Sequence, residues 1–313
     1  MEADKTICSS NRQKWRQLVL FMHTPEISKG VSNPNRMKQP ELEEIIIEPR
    51  SGWIPIAFGE IWKFREMLYF LAWRDMKVRY KQTAMGILWV VIQPVLTMLI
   101  FSILFGRFAG IPSDGVPYPI FVFIGLLPWI YFSSVLGQST NSLVNGSNLI
   151  TKIYFPRIII PSSSAITPLL DLVIRSIVLG IMMLYYKINI SVGIILIPFL
   201  ILILLINAIG FGLWFSAFNV RYRDIQHIIP SLIQIWMFAT PVIYPRSFLG
   251  EKYAWVLLLN PVAGVIEAFR PAILGHMSIP WNSVIAATFI GLLVFVGGAI
   301  YFRRIERYFA DVI

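Results

Sequence analysis

Two pairs of ionisable residues stand where charge is costly. Asp171 and Arg175 lie four residues apart, on one helical face, inside the apolar run 158–184; Glu267 and Arg270 lie three apart between Pro261 and Pro271. Asp before Arg at a spacing of four can form an ion pair. A charge at the bilayer centre costs roughly 2.5–3.5 kcal/mol on insertion scales, so such groups face protein or a water-filled path rather than lipid. Two roles fit Asp171 and Arg175, a structural pair locking helices or a polar lining for something that crosses, and both stay open. For Glu267 and Arg270 the prolines break the helix, and a broken helix at membrane depth needs protein or a cavity around it, which favours the path.

The chemistry that is missing narrows the function. No Gly-x-x-x-x-Gly-Lys-Ser/Thr phosphate loop and no Gly-Lys dipeptide occurs, so any ATP energy must come from another polypeptide. His23, His227 and His276 are scattered, Cys8 is single, and there is no His-Glu-x-x-His, paired-cysteine or Asp-x-Asp spacing. Neither a resident metal nor a catalytic centre is expected. Aromatics are plentiful, with Trp129, Tyr131 and Phe132 next to Pro128. Such rings serve as core or interfacial belts, or as a stacking surface for the flat C–H faces of sugars.

These groups need elements to hold them, and composition says of what kind. The 313 residues include 27 Lys and Arg against 17 Asp and Glu, are 56% hydrophobic and only 14% charged. Soluble domains average about 45–50% apolar and about 25% charged, so the chain reads as all-α integral membrane protein. The basic excess on such a background marks membrane topology rather than nucleic-acid binding. Residues 1–50, with scattered charge and four prolines, form a flexible tail. Residues 51–82 mix aromatics with charge, too polar to span and too apolar for a linker, and predict an amphipathic interface helix.

A span needs about 20 mostly apolar residues. Residues 83–313 offer six, near 86–106, 119–136, 158–184, 190–218, 228–243 and 279–302, the fifth short and bounded by Pro230 and Pro241. The interrupted stretch 256–275 is expected to be re-entrant. With the N-terminus inside, eleven basic residues near span ends fall on the inner side, including Lys152, Arg157, Arg221, Arg223 and Arg303. Five fall outside: Arg107, Lys187, Arg246, Lys252 and Arg270. That imbalance puts both termini in the cytoplasm. Two inner loops then emerge, 148–157, which mixes Lys152 and Arg157 with Ile150, Ile153, Tyr154 and Phe155, and the segment Arg221 to Asp224. The apolar content of the first suggests a docking knob for a cytoplasmic motor, because a loop that only fixes topology would not expose Tyr154 and Phe155.

Taken in order, Arg79-Tyr80-Lys81-Gln82-Thr83, Gly86-Ile87-Leu88-Trp89, Gln93-Pro94, the loop Lys152 to Arg157, Asn219-Val220-Arg221-Tyr222-Arg223-Asp224-Ile225, Ala239-Thr240-Pro241-Val242-Ile243-Tyr244-Pro245, and Asn260-Pro261 followed by Glu267 and Arg270 resemble the permease subunit of type-2 ABC exporters for polysaccharides, the Wzm-like group. The resemblance runs from about Ser51 to the C-terminus. It implies a homodimer in the bacterial inner membrane that moves a lipid-linked polymer such as O-antigen, capsule or teichoic acid between its copies, driven by two phosphate-loop ATPase subunits that hold ATP and Mg. The implied roles are ATPase coupling at Ile150, Lys152, Ile153, Tyr154, Phe155, Arg157, Arg221, Arg223 and Asp224, and a cytoplasmic gate at Trp73, Arg74, Arg79, Tyr80 and Lys81. They continue with a path along Trp129, Tyr131, Phe132, Asp171 and Arg175, and an external gate at Asn260, Pro261, Glu267 and Arg270. The 1–50 tail is longer than the group leads one to expect.

Two other classes compete. A proton- or ion-coupled secondary transporter would use Asp171 and Arg175 as its relay, but such folds often carry two related halves or paired broken helices, and only one broken stretch is evident. A membrane-embedded transferase lacks the acidic metal motif.

Overall fold

The computed structural model describes residues 62–81, 86–150, 152, 155–275, 278–306 and 309, with the backbone alone at 251–254. The expected tail, the start of the interface helix, Ile153 and Tyr154 lie outside the described residues. Within them every regular element is helical: α1 (Arg65–Lys81), α2 (Gly86–Phe101), α3 (Tyr118–Asn145), α4 (Ser147–Ile150), α5 (Ile159–Ser163), α6 (Ile166–Tyr185), α7 (Ile197–Arg221), α8 (Ile225–Phe238), α9 (Gly250–Leu259), α10 (Pro261–Leu274) and α11 (Trp281–Glu306).

Among the described residues, five stretches are long and apolar enough to cross a membrane: Gly86–Phe108, Tyr118–Asn145, Ile159–Tyr185, Val192–Arg221 and Trp281–Glu306. The first continues α2 through a π-helical segment, Ser102–Phe108. The second is longer than the expected 119–136, because its polar end stays helical. Thr140 donates back to the Leu136 carbonyl at 2.7 Å and the Asn141 amide to Gly137 at 3.1 Å, so polar side chains satisfied on their own helix do not end it. α3 stops where Gly146 follows Asn145.

The expected fifth span, 228–243, is helical over only part of its length. Its helix α8 has 14 residues, about 21 Å at 1.5 Å per residue, which falls short of a hydrocarbon core about 30 Å thick. Pro241 disfavours the helical conformation at Thr240 and ends the run there. The stretch read as 256–275 is two helices, α9 and α10, joined at Asn260. Every residue of α10 is buried.

Side-chain packing forms two cores. The larger gathers α3, α6, α7 and α10 around Phe121, Ile124, Phe132, Leu136, Leu204 and Ile266. The second joins α1, the elbow around α4 and α5, and the end of α11 through Leu71, Leu143, Phe155, Ile159, Phe302 and Phe309. α3 is the most enclosed of the five long helices. α7 and α11 approach closely at glycines: a Cβ at Gly298 would sit 2.8 Å from the Gly210 carbonyl oxygen, a contact only glycine permits.

Candidate functional site

Three polar assemblies lie on this frame. The first unites residues expected in separate roles. Asp171 is completely buried on α6, and its closest cation is not Arg175 but Arg79 from the last turn of α1, whose Nη2 is 2.7 Å from Asp171 Oδ2. The Tyr80 hydroxyl donates to the other carboxylate oxygen. Arg175, 2% exposed, stands 3.7 Å from Asp171 and turns its Nε to the Val90 carbonyl of α2 at 3.3 Å. Burial, then the bond to Asp171, pushes the Tyr80 hydroxyl above its ordinary range, so it remains a donor. One carboxylate thus fastens α1 to α6, with Arg175 tying α2 in.

The outward side of α1 is a separate surface. Trp73 and Tyr69 stack at 6.3 Å between centroids, Lys77 lies over the Trp73 ring, and Arg74 pairs with Asp75 at 2.8 Å. An open hollow is lined by Phe70, Trp73, Arg74, Lys77, Val78 and Lys81. Aromatic faces interleaved with cations suit an anionic, interfacial surroundings.

The second assembly surrounds α10. Glu267 and Arg270, three residues apart on α10, point to different partners. Ser283 donates to Glu267 Oε2 at 2.9 Å, and Arg246 reaches the same oxygen at 3.4 Å. Arg270 donates to the Val242 carbonyl at 2.8 Å, and its guanidinium carbon lies over Phe121, 3.8 Å from the ring centroid. Asn260 caps α10, its Oδ1 accepting the Val262 and Ala263 amides, while Pro261 occupies the first turn, where a missing N–H costs nothing. The same Oδ1 accepts from Trp236 at 3.2 Å, and Asn260 Nδ2 donates to Thr240 at 2.9 Å.

The third assembly is the elbow. Ile150 and Phe155 are buried in the second core, which corrects the expectation that Phe155 is exposed for a partner; the two hold the elbow in place. The Arg157 amide donates to Glu306 Oε1 at 2.8 Å, its guanidinium donates to the Glu306 carbonyl and sits over Phe309, so the end of α11 clasps the elbow. Lys152, Arg221, Arg223 and Asp224 are exposed.

Trp129, Tyr131 and Phe132 are buried within the chain. Phe132 meets Phe211 and Trp236 edge-on at 6.0 and 5.1 Å, and the Tyr131 hydroxyl points at the Ala165 carbonyl. No face of these rings is open to a sugar in the single chain. Sequence reasoning missed Arg246, Ser283 and Glu306 because nothing local marks them: each finds its partner from 16 to 149 residues away.

Residues 66–274 match the family described as ABC-2 type transporter. The chain is 29% identical over 257 residues to an O-antigen export system permease protein RfbA of Myxococcus xanthus, covering 81% of this chain and 98% of that one. It is 27% identical to the RfbA protein of Klebsiella pneumoniae, over 79% of this chain and 95% of the relative. Against the polysialic acid transport protein KpsM of Escherichia coli it is 25% identical, over 74% and 91%. With two thirds of its length inside the matched region, the chain belongs to the ABC-2 type transporter family.

Proposed function

We propose that this chain is the membrane subunit of an ATP-driven exporter that moves a lipid-linked polysaccharide, O-antigen being the cargo named for its relatives, across the bacterial inner membrane. The observation that carries the reading is the near full-length match to permeases of O-antigen and polysialic acid systems. Two copies form the path, two phosphate-loop ATPase subunits bind ATP and Mg, and both termini lie in the cytoplasm. That topology requires a sixth crossing, which α8 and the turn after it complete against neighbouring helices. The motor docks on the exposed basic edge made by Lys152, Arg221, Arg223 and Asp224. Ile150, Phe155 and Arg157 keep that edge in register from behind, and Ile153 and Tyr154 of the same loop belong to the coupling segment.

On this reading α1 is the cytoplasmic gate. Its outward Trp73, Arg74 and Lys81 meet the lipid-linked end, while Arg79 and Tyr80 hold the helix to Asp171 and, through it, to Arg175. Asn260, Pro261, Glu267 and Arg270 order the external gate. ATP closing the motor subunits pushes on the elbows and separates the two permease halves. A secondary transporter using Asp171 as a relay is less well supported, since a fully buried carboxylate clasped by Arg79 and Tyr80 has no open face for an incoming ion.

The test is a gentle-detergent pull-down of the tagged chain from its host, with mass spectrometry and an ATPase assay, followed by reconstitution with a lipid-linked polymer. A co-purifying phosphate-loop ATPase and ATP-dependent polymer movement are the expected result. A lone, inactive chain whose vesicles respond to a proton gradient instead would overturn it.

A further inference from the structure

The half-length helix α8 packs on the larger core along one side, through buried Ile229 and half-buried Ile233, Trp236 and Met237, and is hydrogen-bonded to neighbouring elements at both ends. Its first turn should be capped by Asp224, yet that side chain makes no capping bond. The orphan amide of Gln226 is taken instead by Asn219 Oδ1, 3.2 Å away, from the last turn of α7. Asn219, 1% exposed, spends its other half on α3: Nδ2 donates to the Thr140 carbonyl at 2.9 Å and toward Asn141 at 3.4 Å. Thr140 lies a turn and a half before Gly146 and the elbow. One buried asparagine therefore joins α3, α7 and the start of α8 on the elbow side.

The far end is built alike. Trp236 in the last turn of α8 donates to Asn260, and Asn260 donates to Thr240 just beyond it. Asn260 is also the cap of α10, the helix that carries Glu267 and Arg270. A helix about 21 Å long that is hydrogen-bonded to one asparagine at each end gives axial displacement a continuous route from Asn219 to Asn260. Pro230 removes one internal hydrogen bond near the Asn219 end, which leaves the Trp236 end the stiffer.

We propose that α8 is a pushrod: movement of the elbow-side ends of α3 and α7 enters it through Asn219 and leaves through Trp236 and Asn260, shifting α10. This rests on the exporter reading, in which elbow and α10 are the motor side and the external gate. The competing possibility is that each chain moves as one rigid body, in which case neither asparagine transmits anything. Spatial continuity alone does not separate the two, and energetic coupling does.

The experiment uses the full chain assembled with its ATPase subunit in proteoliposomes, with Cys8→Ser as background and Val284→Cys, a buried position on α11, as reporter for a membrane-impermeant maleimide. Asn219→Ala, Trp236→Phe and the double variant are compared for ATP hydrolysis, polymer export and the ATP-dependent rise in labelling. Trp236→Phe leaves the α10 cap intact, so it stays informative if Asn219→Ala assembles poorly. Each single variant should keep hydrolysis within about twofold while export and the labelling rise fall about five- to tenfold, the lower end of typical coupling between sites. The double variant should be no worse than the more affected single one, as for two joints in series. Wild-type labelling and export in both single variants, or losses that simply multiply in the double, would overturn the pushrod. A wild-type complex that hydrolyses ATP without moving polymer would overturn the exporter reading instead, and the labelling of Val284→Cys would still decide how α8 behaves.

Discussion

Replacing Asp171 should be far more damaging than removing it together with its neighbour. In Asp171→Ala, Arg175 remains 2% exposed with the 3.3 Å bond to the Val90 carbonyl and Nη1 without a hydrogen-bond partner among the described residues. Breaking a buried pair from one side costs about 3–5 kcal/mol, mostly the penalty of the stranded charge. Arg79 adds little to this, because its side chain is 34% exposed and can turn to water, where such pairs are worth up to about 1 kcal/mol. Tyr80 loses its acceptor as well, about 1.5–3 kcal/mol for a bond to a charged group and less at a half-buried site. The double variant Asp171→Leu with Arg175→Met takes away both buried charges and fills the space with apolar atoms, a change that is often neutral or stabilising. The assay is thermal unfolding of the purified chain in detergent, read by the fluorescence of a thiol dye or by light scattering, alongside export. Asp171→Ala should melt well below wild type and the double variant close to it, with export lost in both because α1 is no longer fastened. A double variant less stable than Asp171→Ala would refute the reasoning, since the cost would then lie in packing and not in the stranded guanidinium.

Three further outcomes are expected. Phe155→Ala should cost about 3–5 kcal/mol as a core truncation, whereas Arg223→Ala, on an exposed loop, should leave the melting temperature near wild type and lower motor-stimulated ATP hydrolysis; equal melting shifts in the two would contradict the burial difference. Glu267→Gln should keep the Ser283 bond and complex assembly, since Arg246 is 42% exposed and its pairing is screened, but should reduce export, and unchanged export would reduce the α10 cluster to a structural role. The pH response of the Tyr80 bond follows from its sign. A hydroxyl whose pKa is raised by folding adds stability that is fully present below the unfolded value near 10 and is lost as pH climbs through the higher folded value. Wild type should therefore lose stability relative to Tyr80→Phe only above about pH 10, as followed by melting temperature across alkaline buffers.

How much of this could be read beforehand depends on the range of the interaction. Spans are local: 20 or so apolar residues announce themselves, and five of the six expected runs coincide with the long helical stretches among the described residues, with the largest shift at the polar end of α3. Phe155 was misread because exposure is not local; an apolar residue in a charged loop looks exposed until Leu143, Phe302 and Phe309 close over it. Asp171 and Arg175 were rightly singled out as needing partners, and spacing supplied one of them, but Arg79 and Tyr80 come from 92 and 91 residues upstream and only the fold brings them in. Asn219 illustrates the limit most plainly. It stands in a run quoted for its basic residues, and nothing in the run tells that its amide caps the next helix.

The enclosure of α3 bears on how the protein is made. Walled in by α2, α6, α7 and α10, the finished helix meets little lipid and could in principle tolerate more polar groups along its middle. Yet its stretch from Ile120 to Leu127 is unbroken by any polar side chain. A span inserts on the strength of its own partitioning before its neighbours are there to shield it. The residues of α3 are therefore written for the membrane it passes through during synthesis, and not for the protein interior in which it ends.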